Sequence, residues 1–84
     1  MKMVLHIGKD ALVPLKDVVF ILDYKEAKTN DDTNSALKRL GDIAHNIYIE
    51  KYNIKSVVVA RFLDKFFIYY SPISPATLYK RSKQ

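Results

Sequence analysis

Three runs of β-forming residues constrain this chain more than any other feature. They lie at 18–22 (Val-Val-Phe-Ile-Leu), 57–62 (Val-Val-Val-Ala-Arg-Phe) and 66–70 (Phe-Phe-Ile-Tyr-Tyr). Apolar residues follow one another in them with little alternation, the pattern of strands covered on both faces. Leu63, Asp64 and Lys65 separate the last two runs at turn length, which predicts a hairpin. Only two helical segments are legible elsewhere, and two helices do not easily cover both faces of a sheet. Excess apolar surface of this kind is usually buried in a partner subunit. The pattern therefore predicts a homo-oligomer, with Val19 and Phe67 at the interface. The alternative is that residues 23–32 and 47–55 fold over the second face.

The remaining elements are shorter. Val4, Leu5 and Ile7 read as a strand ending at Gly8, Lys9-Asp10 as a turn, and residues 11–13 as a second extended piece. Pro14 cannot donate to a ladder, so it belongs at an edge or a strand end. Residues 23–32 are polar without apolar periodicity and read as a loop. Ala36, Leu37, Leu40, Ile43, Ala44 and Ile47 recur at helical steps. They predict a central helix over about 31–46, with N-caps among residues 30–33 and Asn46 as a C-terminal cap. Gly41 within it favours a bend or an early stop. Residues 48–55 fit a strand or irregular chain equally well. Ser71-Pro72 ends the last strand. Ser74-Pro75 then supplies an N-cap and a first-turn proline for a short helix over about 75–82. The expected fold is α+β: one domain over 1–84, with a small, mostly antiparallel sheet of about five strands and two helices.

At 84 residues there is room for one domain at most. The chain has no cysteine, which removes disulfides, thiolate metal sites and thiol catalysis. No apolar run reaches the ~18–20 residues of a membrane span, and the apolar start at residues 3–5 is short for a signal peptide. The expected setting is the cytoplasm. Catalytic sets are missing from the pattern. His6 sits in an apolar strand and His45 near a helix end, with no metal-ligand spacing between them. Ser71, Ser74 and Thr77 have turn and capping roles, and Asp31-Asp32 suits a helix start. No glycine-rich phosphate loop is present. We therefore expect no enzyme activity, no metal and no cofactor.

Charge points elsewhere. Net charge is +5, and it is uneven: residues 1–34 carry five lysines against six acids, residues 35–84 nine basic residues against three acids. A basic half on a small domain suits a polyanionic partner. Lys55, Arg61, Lys80 and Arg81 are the expected DNA contacts, with Lys51, Lys65 and Lys83 nearby. Tyr48, Tyr52, Tyr69, Tyr70 and Tyr79 lie near these cations, either to stack on bases or to fill core and interface. No helix-turn-helix spacing is evident, so contacts to phosphate are expected over base-edge readout.

Several short stretches carry a family resemblance. Leu5-His6-Ile7-Gly8 and residues 13–23 resemble the start of the extracellular-matrix regulatory proteins of the RemA/RemB type. Residues 56–59, then Tyr70-Ser71-Pro72-Ile73-Ser74 with Thr77-Leu78, resemble their second half. The match is closest to the RemB branch, with its V-P-x-K-D and S-P-I-S pieces, and it is weakest over about 24–55. The resemblance implies a small α+β DNA-binding regulator of biofilm-matrix genes, acting as a homo-oligomer. The RemA branch is associated with rings that bind DNA through paired arginines before the strand corresponding to 56–61. Here that pair falls near Tyr52-Asn53, neither of them charged, and Lys55 keeps a charge close by. The alternative function is a module that assembles with a paralogous or other regulator without touching DNA.

Overall fold

The computed structural model describes residues 3–83. Six strands form two sheets, flanked by three α-helices. Strands β1 (Val4–His6) and β2 (Leu12–Pro14) make a small antiparallel pair, turned at Lys9-Asp10. Pro14 is the last residue of β2, where its missing N–H costs no ladder bond. A single 3₁₀ turn, Leu15–Asp17, leads into β3 (Val18–Asp23). Helices α1 (Tyr24–Thr29) and α2 (Asp31–Ile43) follow, then β4 (His45–Tyr48), β5 (Ser56–Phe62), β6 (Lys65–Ser71) and α3 (Pro75–Ser82).

The larger sheet has the order β3-β5-β6-β4. Strands β3, β5 and β6 are antiparallel, while β4 runs parallel to β6. Residues 56–60 of β5 are buried on both faces, which explains their unbroken apolar run. One face packs Val58 and Ala60 with Leu5, Ile7, Val13, Ile21 and Leu78. The other packs Val57, Val59 and Ile68 with Ala27 of α1 and Leu37 of α2.

Three expectations need correction. Residues 23–32 are not a loop. Asp23 caps α1 by accepting from the Glu26 N–H at 3.0 Å, and Asn30 ends α1 and caps α2 through the Thr33 N–H at 2.9 Å. A helix of six residues with one buried side chain, Ala27, leaves no apolar period to read. The central helix stops at Ile43 and not near 46. Beyond Ala44 the chain turns extended, and the Asn46 amide reaches back to the Gly41 carbonyl at 2.9 Å. Within the expected stripe Leu37 alone is buried, and Ala36 and Ile43 face solvent. The count is six strands and three helices because β4 and α1 join the expected set.

The second face of β5 and β6 is covered by α1 and α2 of the same chain; of the two segments in the alternative reading, 23–32 supplies Ala27 to that face, whereas Ile49 of 47–55 packs on the opposite one. The apolar excess sits elsewhere. β3 is an edge strand with an irregularity between Val18 and Phe20, and there Val19 is 52% exposed and Phe20 42%. At the hairpin tip the turn is two residues long, Leu63 and Asp64, and Lys65 belongs to β6. Both turn residues have positive φ (50° and 63°), as a type I′ turn requires. The predicted cap of α3 is present: the Ser74 hydroxyl accepts from the Thr77 N–H at 3.3 Å, and Pro75 occupies the first turn.

Candidate nucleic-acid interface

The four expected DNA contacts fall at three places along the fold: Lys55 just before β5, Arg61 near its far end, and Lys80 with Arg81 in the last turn of α3. Lys55 and Arg61 stand at opposite ends of β5, six residues and therefore about 20 Å apart. Lys55 is exposed and its backbone carbonyl takes the Tyr24 N–H at 3.0 Å, so strand and helix hold its position. Arg61 is engaged locally: it meets the Asp64 carboxylate at 2.9 Å and lies over the Phe66 ring, its cross-strand neighbour, at 5.8 Å. That pair is exposed and contributes only about 0–1 kcal/mol. Lys80 is exposed on α3. Arg81, beside it in sequence, is half-buried and donates to the His6 carbonyl at 2.9 Å. It ties α3 to β1 as much as it faces solvent. His6 also bonds the Lys9 carbonyl through Nε2, a turn-closing role.

The two expected interface residues differ in kind. Val19 is exposed on β3 and borders an apolar groove of about 400 Å³ with Phe20, Leu15 and Tyr79. The Tyr79 hydroxyl, at 2.9 Å, donates to the Ile21 carbonyl at this edge. Phe67 is half-buried on the face of Val58 and Ala60, and His45 of β4 stacks on its ring at 5.0 Å. Its first role is therefore within the chain.

Ion pairing is sparse. Lys9 meets Glu50 at 3.5 Å, and Arg61 meets Asp64. Among the described residues, Lys28, Lys38, Lys55 and Lys80 have no carboxylate at salt-bridge distance.

One grouping was not visible in the linear pattern. Tyr48 and Tyr70, register partners on β4 and β6, stack with centroids 4.2 Å apart and planes 10° from parallel. Tyr24 at the start of α1 stands edge-on to Tyr70 at 6.3 Å, with the Lys28 ammonium 5.8 Å from the Tyr24 ring centre. Burial pushes the Tyr70 hydroxyl up to about 12, with Tyr48 and then Tyr24 adding to it. Burial, and then the Asp17 charge, also raises Tyr69. The three rings wall a cavity of about 440 Å³ whose opposite side is α2, from Asn34 through Lys38 to Asp42. Its residues come from positions 24 to 70, so no short motif announces it. The spacing of Tyr24 and Lys28 by one helical turn was the one local signal.

The chain matches no protein-family model and no curated protein sequence.

Proposed function

We propose that this chain is a non-enzymatic, DNA-associated regulator that works as a homo-oligomer, with extracellular-matrix genes as the targets its family resemblance suggests and the cytoplasm as its setting. The observation that carries this reading is the surplus of cations with no carboxylate partner among the described residues, including Lys55 and Lys80, on a chain of net charge +5. One copy spreads its expected contacts over three places, before β5, near its far end and in the last turn of α3, too thinly for useful affinity at physiological salt. Copies joined through the exposed Val19 and Phe20 region would repeat them and gain by multivalency. Contacts would be to phosphate, with modest preference arising from DNA shape.

The same scatter, together with the apolar surface at Val19 and Phe20, favours a second reading: a module that assembles with a paralogous regulator and does not touch DNA. Gel shifts across a salt series, with light scattering alongside, separate the two. The first reading expects an oligomer whose DNA affinity falls steeply with salt. It also expects Lys55→Ala and Lys80→Ala each to flatten that slope without changing mass. Val19→Asp should yield folded monomers that bind DNA poorly. A parent protein that fails to bind duplex at ~50 mM salt, where phosphate contacts are strong, favours the second reading.

A further inference from the structure

The tyrosine-walled cavity is unrelated to the cations assigned to duplex DNA, and its chemistry is specific. Two cations line it, Lys28 of α1 and Lys38 of α2, and neither is paired to a carboxylate among the described residues. Polar and acidic groups line it as well, with Asp42 one helical turn beyond Lys38 and Asn46 beside Gly41. From Asn34 to Asp42 the α2 wall runs eight residues, about 12 Å. The aromatic part of its lining is the Tyr48 and Tyr70 stack with Tyr24 edge-on. Tyr48 remains 55% exposed, so ring surface is left for a planar ligand. Gly41 keeps the helix wall low. A Cβ there would sit 3.5 Å from the Asn46 amide oxygen, and any longer side chain would extend into the cavity.

A ligand matching this arrangement has a flat, weakly polar body and one strongly anionic end. We propose that the cavity binds a nucleotide, with the base against the tyrosine corner and the phosphate between Lys28 and Lys38. Stacking on aromatic rings is tolerant of base identity and contributes about 1–3 kcal/mol per base. Two ammonium groups then hold the phosphate as point charges. Asp42 accepts from ribose hydroxyls or an exocyclic amine, which a phosphate-only ligand lacks. The volume, about 440 Å³, lies in the range of small-molecule sites. The nucleotide is either free in solution or an unpaired residue of a single strand, since both present the same base and phosphate.

The test is titration of the full-length protein with AMP, adenosine, inorganic phosphate and a short single-stranded oligonucleotide, followed by tyrosine ring resonances in NMR. AMP is expected to shift Tyr24, Tyr48 and Tyr70 together, with adenosine and phosphate each at least tenfold weaker. The Lys28→Ala, Lys38→Ala pair should weaken AMP about tenfold and leave adenosine unchanged. Gly41→Leu should abolish binding while far-UV circular dichroism keeps the parent spectrum, and Tyr48→Leu gives a second route should Gly41→Leu misfold. Binding of AMP assigns the cavity to a free nucleotide, and binding of the oligonucleotide alone assigns it to a strand. The proposal is overturned if neither ligand moves the tyrosines at ~5 mM, weaker than any useful affinity. It is equally overturned if folded Gly41→Leu and Tyr48→Leu bind like the parent.

Discussion

Replacing Leu63 by asparagine should stabilise the protein, although leucine is the more hydrophobic residue. Leu63 occupies the first turn position of the β5-β6 hairpin with φ of 50°. A β-carbon in that left-handed region costs roughly 1–2 kcal/mol, which asparagine largely avoids by local hydrogen bonding. Against this stands the apolar surface that Leu63 buries. It is 76% exposed, so about a quarter of a leucine's ~2 kcal/mol is at stake, near 0.5 kcal/mol. The net expectation for Leu63→Asn is a gain of about 0.5–1 kcal/mol, or a Tm higher by several degrees in a domain of this size. Leu63→Ala loses the burial without relieving the φ, so it should fall slightly below the parent. The order Asn, Leu, Ala is measured by thermal unfolding under circular dichroism, with light scattering at each concentration. If Leu63→Asn is less stable than the parent, Leu63 is buried in a contact that one copy of the chain does not contain. The turn argument would then be refuted.

Ser71→Ala should cost about 2–3 kcal/mol, because it strips a donor from the Ile7 carbonyl at 2.6 Å and an acceptor from the Ile73 N–H at 3.0 Å in a buried site; urea denaturation measures it. Gly8→Ala should cost about 2 kcal/mol or more by the same assay, since φ is 122° and the new methyl would meet the Ile49 side chain at 3.1 Å and Pro72 at 3.2 Å. Tyr70 should ionise near 12 in an ultraviolet titration of tyrosinate, and Tyr48→Phe should lower it. Because its folded value lies above the ordinary 10, the stability it contributes is complete below pH 10 and is lost as the pH climbs towards 12. A Tyr70 that ionises near 10 would mean that the stacked corner is open to water.

What could be read along the chain was whatever local chemistry determines. The hairpin of β5 and β6, the short β1 and β2 pieces and the Ser74-Pro75 start of α3 all carry their signals within a few residues. Strand β4 does not. His45 and Tyr48 are held by stacking on Phe67 and Tyr70, partners that only the fold brings alongside. Helix α1 was hidden for another reason: its N-cap is Asp23, accepting from the Glu26 N–H, but polar composition masked it. The basic residues were legible as charge, while their separation along β5 was not. Arg81 shows the same gap, since nothing near it in sequence says that its guanidinium closes on His6.

The bond between the Ser71 hydroxyl and the Ile7 carbonyl spans 64 residues, and those from Tyr79 to Ile21 and from Arg81 to His6 are of like span. Strand β1 therefore leaves the ribosome long before the segments that bury it. At ~5–20 residues per second, the wait between Ile7 and Ser71 lasts roughly 3–13 s. An isolated two-stranded hairpin is marginal in water, so β1 and β2 spend that interval without a stable structure. Folding should begin instead in β5 and β6, whose turn is the tightest in the chain, with the β1 face docking last. Leu5 and Ile7 are then open to a chaperone, or to a neighbouring nascent chain, over that whole interval.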